Sequence, residues 1–163
     1  MKSTFVYALA LIFVGCFGKE PENTGLEGKS LPSFKLFLED STTYFDTKDI
    51  PSGKPVVLFL FGPHCPYSKS QVEEIVNNMQ SLKDIQFYFF TTWSFRELKQ
   101  FYKMYDLKQH PNIVAGVDYT NFFADHFSAE GVPYIAIYGK DKKLKKAFIG
   151  KIKSSQIQSV AIN

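Results

Sequence analysis

The spacing of apolar residues changes period several times after residue 31, and each change marks an element. Phe34, Leu36 and Leu38 alternate with polar neighbours, the period of a strand with one face on a core. DSTT at 40–43 supplies turn chemistry and Tyr44–Phe45 begin a return strand, so a β-hairpin is predicted. After the SGK break at 52–54, PVVLFLFG at 55–62 is apolar at nearly every position and too short for a helix. It predicts a central strand covered on both faces. From Pro66 to about Met79 the period lengthens: Val72, Ile75, Val76 and Met79 are spaced three and four apart, forming one stripe of a helix. Proline suits the first position of that helix, because its fixed φ is already helical and its missing N–H is not needed.

DIQFYFFTT at 84–92 reads as another strand, and SFRELKQFYKMYDL at 94–107 as a second helix. Ser94 is its candidate N-cap, and Glu97 three residues on completes a capping box. HPNIVAGVD at 110–118 is expected as a short strand or loop, and YTNFFADHFSAEG at 119–131 as a short helix. PYIAIYG and LKKAFIG, joined by the turn GKDKK, predict a closing hairpin before a last helix from about Ser154. Strands alternating with helices and ending in an antiparallel pair imply one α/β domain, a mixed sheet with helices on both faces.

The first thirty residues follow another pattern. Lys2 precedes an apolar stretch from Phe5 to Val14, and Gly15 stands immediately before Cys16, the layout of an export signal. A run of about ten residues is well short of the roughly 18 to 20 that span a bilayer. IFVGC at 12–16 resembles the bacterial lipobox, with Phe13 where leucine is usual. The resemblance implies a signal peptide over 1–15 and a lipid attached to Cys16. Residues 16–30, rich in glycine and charge, read as a flexible tether reaching on the order of 20 Å from a membrane, and residues 31–163 as the domain. The expected location is therefore the bacterial cell envelope, facing the periplasm or exterior.

Composition narrows the function. The chain has 163 residues, 45% of them hydrophobic, enough for one sizeable core. A net charge of +3, with the lysines of 140–153 interleaved with apolar residues, does not suggest a nucleic-acid partner. There are two cysteines. With Cys16 assigned to the lipid, Cys65 is the one thiol left in an exported chain, and no internal disulfide can form.

Cys65 stands at the seam between the central strand and the helix that begins at Pro66. A sulfur there faces unpaired backbone N–H groups and the positive end of the helix dipole, which favour thiolate over thiol. Ser68, one turn on, is placed to donate a hydrogen bond to it. His64 is either a stabilising imidazolium or a solvent-facing loop residue; Pro66 and Tyr67 shape the surface around the thiol. Trp93 either lines the same rim or packs in the core. Whether Cys65 is a reactive thiol or an inert, inherited one stays open, since free cysteine is often buried and unreactive.

CPYS at a helix start, GVPYIAIYG, and the lead-in LPSFKLFLEDSTTYFDTKDIPSGKPVVLFLF together resemble the thioredoxin superfamily, in particular its TlpA-like redoxin branch of exported thiol-disulfide oxidoreductases. The resemblance implies a thioredoxin-like three-layer fold with an N-terminal β-hairpin and an insertion before a cis-proline at Pro133. It implies that Pro133 caps the site opposite Cys65 and that the backbone of Val132 pairs with an extended substrate. It also implies a disulfide or thiol partner, protein or small molecule, and no cofactor. The departure is Ser68, which stands where the family has its resolving cysteine. A hydroxyl cannot release a mixed disulfide, so two-cysteine reduction is excluded. The expectation is a monothiol protein needing an external thiol. CPYS also occurs as a monothiol motif among glutaredoxins.

The alternatives differ in class. A peroxiredoxin signature requires proline at 58 and threonine at 62, where this chain has Leu58 and Gly62. Copper or another metal would recruit His64, Cys65 and His110 or His126, but no second cysteine or spaced histidine pair completes a shell. A redox-inactive lipoprotein scaffold on the same fold is the principal rival. The oligomeric state is not legible.

Overall fold

A computed structural model describes residues 18–163. Cys16 and the expected signal peptide over 1–15 lie outside the described residues. Seven strands form one mixed sheet: β1 (Lys35–Leu38), β2 (Tyr44–Asp46), β3 (Val56–Leu60), β4 (Gln86–Thr91), β5 (Ile113–Val117), β6 (Tyr134–Tyr138) and β7 (Leu144–Ile149). The helices are α1 (Pro66–Asn77), α2 (Met79–Leu82), α3 (Phe95–Met104), α4 (Phe122–Phe127) and α5 (Ser154–Ile162). Strand order across the sheet is β2-β1-β5-β4-β3-β6-β7. β3, β4 and β5 run parallel, and β1, β2, β6 and β7 join by antiparallel pairing.

All five residues of β3 are buried because its alternate side chains enter two different cores. Val57 and Phe59, with Phe87, Phe89, Ile135 and Ile137 of the neighbouring strands, face the helical layer of α1, α3 and α5. Val56, Leu58 and Leu60, with Phe90, Tyr134 and Ala136, face α4 and the hairpin lead-in. A two-residue period on each strand thus becomes a three-layer molecule, and an apolar run without alternation marks its middle. The thioredoxin-like fold expected from the sequence is the one observed.

Helix boundaries follow local chemistry. Ser94 Oγ accepts from Glu97 N at 3.3 Å and Glu97 Oε2 accepts from Ser94 N at 3.0 Å, so the capping box of α3 is formed. The predicted first helix stops at Asn77 and resumes as α2, with Asn78 between them outside helical geometry. β5 and α4 supply the insertion before Pro133. There β5 is a full interior strand, pairing with both β4 and β1, where the sequence leaves strand and loop open.

The N-terminal segment departs from expectation. Residues 18–30, predicted as part of a flexible tether, run along the outer edge of β7. Isolated bridges join Glu22 to Ala147 and Ser30 to Lys143, and Gly28 N and Leu144 O are 2.9 Å apart. Backbone hydrogen bonds do this work, so the low apolar content of the segment gives no sign of it. The strap covers one edge of the sheet, where a bare row of N–H and C=O groups would otherwise invite another strand. Among the described residues no helix is long and apolar enough to cross a membrane.

Candidate functional site

The end of β3 builds the site. Phe61 N donates to Phe90 O at 2.9 Å, prolonging the parallel pairing one residue beyond the strand. The chain then turns sharply, with Cys65 N donating to Gly62 O at 3.0 Å, and Lys69 N donating to Cys65 O at 3.1 Å as α1 begins. Cys65 is the N-cap of α1 in extended geometry and Pro66 occupies the first turn. The sulfur therefore sits at the positive end of a twelve-residue helix. It is half-buried, and it is the free cysteine of the described residues.

Gly62 permits the close approach of three elements. A Cβ on it would lie 2.9 Å from Val132 Cγ2, 3.2 Å from Cys65 Cβ and 3.6 Å from Trp93 Cη2. Its own N–H donates to Ser68 Oγ at 3.1 Å. Ser68 is fully buried and its oxygen serves this turn, while no hydrogen bond joins it to the sulfur. The expected donation to Cys65 is thus not formed. The hydroxyl is turned back toward the strand end, where a buried backbone N–H needs an acceptor.

Opposite the sulfur, the peptide bond between Val132 and Pro133 is cis. Cys65 Sγ donates to Val132 O at 3.4 Å. Pro133 is buried and its carbonyl accepts from Gly150 N, fixing the loop against the end of β7. Cys65, Val132 and Pro133, far apart in sequence, are brought to one place.

His64 does not face the thiol. Its Nε2 is 2.7 Å from Glu97 Oε1 on α3, and its side chain is largely exposed. Hydrogen bonding from His64, then from Ser94, holds the Glu97 carboxyl below the usual carboxylate range. His64 is therefore a clasp between the loop that carries Cys65 and α3. Tyr67 is exposed beside the thiol, as is Pro66. Trp93 is 40% exposed with its ring edge near Gly62, so it belongs to the rim and not to the core. The sequence does not single out Gly62; its signal was a glycine ending a buried strand, a mark of close backbone approach.

Among the described residues, no group of three or more His, Cys, Asp or Glu side chains is placed to hold a metal ion. His126 lies on α4, stacked on Phe122 at 5.5 Å.

The Redoxin family model matches residues 26–161. No curated protein matches the sequence. Among solved structures, the chain is similar to an uncharacterized conserved protein from Geobacillus kaustophilus, at 20% identity and TM-score 0.63, over 77% of this chain and 70% of that one. A secreted disulfide oxidoreductase of Mycobacterium tuberculosis, homologous to E. coli DsbE, is 15% identical with TM-score 0.64, over 78% and 92%. Peroxidoxin BcpB of the same organism is 13% identical with TM-score 0.67, over 82% and 94%. At these identities the likeness is one of fold.

Proposed function

Since this chain belongs to the redoxin family, a thioredoxin-like redox family, we propose that it exchanges thiols and disulfides through Cys65 alone. The observation that carries the reading is a half-buried sulfur at the N-cap of α1, 3.4 Å from the carbonyl of the residue before Pro133. The thiolate is the attacking species, so the proton that the sulfur directs at Val132 O leaves before the attack.

The Cys65 thiolate attacks a disulfide R–S–S–R′, forming Cys65–S–S–R and releasing R′–S⁻. No second thiol stands at 68, so an external thiolate R″–S⁻ must attack the R sulfur. That gives R–S–S–R″ and returns the Cys65 thiolate, with no net electron change. The exposed Tyr67 and Trp93 and the backbone of Val132 offer a rim on which an extended substrate lies. Lipidation of Cys16 would hold the domain at an envelope membrane.

Incubating the folded chain carrying Cys16→Ser with a cysteine peptide disulfide tests the reading. One R′–SH released per protein, with the adduct mapped to Cys65 and absent in Cys65→Ser, is expected. A Cys65 that reacts only after unfolding would instead leave a redox-inactive binding scaffold.

A further inference from the structure

The segment 150–154, between β7 and α5, is tied to α1 by three side chains. Ile152 N donates to Gln71 Oε1 at 2.7 Å, Ser154 N donates to Glu74 Oε1 at 2.9 Å, and Lys151 Nζ donates to Ser70 Oγ at 2.9 Å. Two of these have a local purpose. Ser154 is the first residue of α5, and its N-cap Lys153 gives the helix no side-chain bond, so the Glu74 carboxylate caps α5 from a neighbouring helix. Lys151 Nζ also lies 3.9 Å from Glu74, an exposed pair of the kind that contributes little.

Gln71 is different. It is fully buried, and only half of its amide is used: Nε2 has no partner, which is true of no other buried side-chain nitrogen or oxygen among the described residues. An unpaired buried N–H is costly, so packing alone would favour an apolar side chain of the same size. What glutamine adds is the bond that its Oε1 accepts, and that bond closes a ring through the candidate site. From Cys65, α1 runs on to Gln71, whose Oε1 holds Ile152 N. Two residues earlier, Gly150 N donates to Pro133 O. Across the cis bond, Val132 O accepts from Cys65 Sγ at 3.4 Å. Apart from the sulfur, Gln71 is the one side chain among the three hydrogen bonds of this ring, and so the one link that a substitution can remove.

We propose that Gln71 is a positioning residue for Cys65: through Ile152 and Gly150 it sets the separation between the start of α1 and the Val132–Pro133 wall, and with it the gap in which a substrate disulfide meets the sulfur. No hydrogen bond joins Gln71 to the sulfur among the described residues, so its effect travels through the loop. The substrate half of the statement rests on the reading of Cys65 as an exchange thiol; the separation of the two walls does not.

The test uses the full chain carrying Cys16→Ser, in which Cys65 is the one thiol. Gln71→Met keeps length and burial, deletes the acceptor and also deletes the unpaired Nε2, which favours retention of the fold. Gln71→Glu keeps an oxygen for Ile152 N. Two rates are measured on each chain, alkylation by iodoacetamide, which needs the sulfur alone, and attack on a cysteine peptide disulfide, which needs both walls. Loss of one hydrogen bond moves an equilibrium by about two- to tenfold. Alkylation of Gln71→Met should therefore be about two- to tenfold faster than wild type, and the ratio of disulfide attack to alkylation should fall by a similar factor. Gln71→Glu should restore both. Asn112→Ala strips bonds to Leu82 O and Ile85 O at the opposite end of the sheet, and should leave both rates at wild type. Unchanged alkylation in Gln71→Met, or an equal rise in Asn112→Ala, would overturn the proposal. So would faster alkylation with an unchanged ratio, because the walls would then part without consequence for the substrate. If the peptide disulfide reacts with none of the chains, the exchange reading falls, while alkylation still decides whether Gln71 sets the separation.

Discussion

Gly62→Ala is the most informative single change, because three distances at one position set its effect. The new methyl would meet Val132 Cγ2 at 2.9 Å and Cys65 Cβ at 3.2 Å, against an ordinary carbon contact of about 3.5 to 4.0 Å. Val132 must retreat by roughly 0.6 Å to reach even the near limit. The loop it belongs to is fixed by the bond from Gly150 N to Pro133 O, so the retreat is resisted. Gly62 has no left-handed backbone geometry, so the cost is overpacking and not φ strain. Overpacking costs ~1 to 3 kcal/mol, and for a chain of this size each kcal/mol lowers Tm by about 2 to 4 °C. A fall of roughly 2 to 12 °C by circular dichroism is expected. Parting Cys65 from Val132 also uncovers the half-buried sulfur, so native-state alkylation by iodoacetamide should speed up. An unchanged Tm together with an unchanged alkylation rate would show that these elements do not meet as described.

Ser68→Ala should lose ~1 to 3 kcal/mol in urea unfolding, because it strands the buried N–H of Gly62 without an acceptor. Glu97→Gln keeps a capping-box side chain but removes the charge whose pKa His64 and Ser94 depress. A depressed carboxyl adds stability above its unfolded pKa near 4.5 and loses it as pH falls through the folded value. Wild-type stability should therefore drop more steeply below about pH 4.5 than that of Glu97→Gln, measured by urea titration at each pH. Phe61→Ala removes a ring stacked on Phe101 at 4.1 Å and should cost about 3 to 5 kcal/mol. Glu22→Pro deletes the donor to Ala147 O and should loosen the strap, seen as faster amide exchange in β7.

Much of the fold was legible because periodicity reports burial. The continuous run of β3, the spacing of Val72 and Ile75, and the Ser94–Glu97 box each record one physical requirement at the position where it applies. β5 was harder: IVAGV is short, holds a glycine and lacks polar alternation, since it lies between β1 and β4 in the sheet interior. The strap was illegible for the opposite reason. Its attachment to β7 runs through main-chain groups that every residue possesses, so side-chain composition does not register it.

The site divides in the same way. Cys65 and Pro66 announced a helix start, since that geometry is local. Val132 and Pro133 came from family resemblance, and their meeting with Cys65 is a long-range event that no spacing encodes. Ser68 was read as a donor to the sulfur, and His64 as either a stabilising imidazolium or a solvent-facing loop residue, because both are near it in sequence. Glu97 and the Gly62 N–H, distant or unremarkable along the chain, hold them in other roles.

The account stands or falls on what happens after Cys65 has taken up a partner. In the full chain with Cys16→Ser, so that no other cysteine is present, the peptide adduct is followed by intact-protein mass spectrometry beside the same chain carrying Ser68→Cys. The adduct should persist until an external thiol is added, while the Ser68→Cys chain should clear it unaided and finish as an internal disulfide. Spontaneous clearance with serine at 68, or equal persistence in both chains, would contradict single-cysteine exchange at this site.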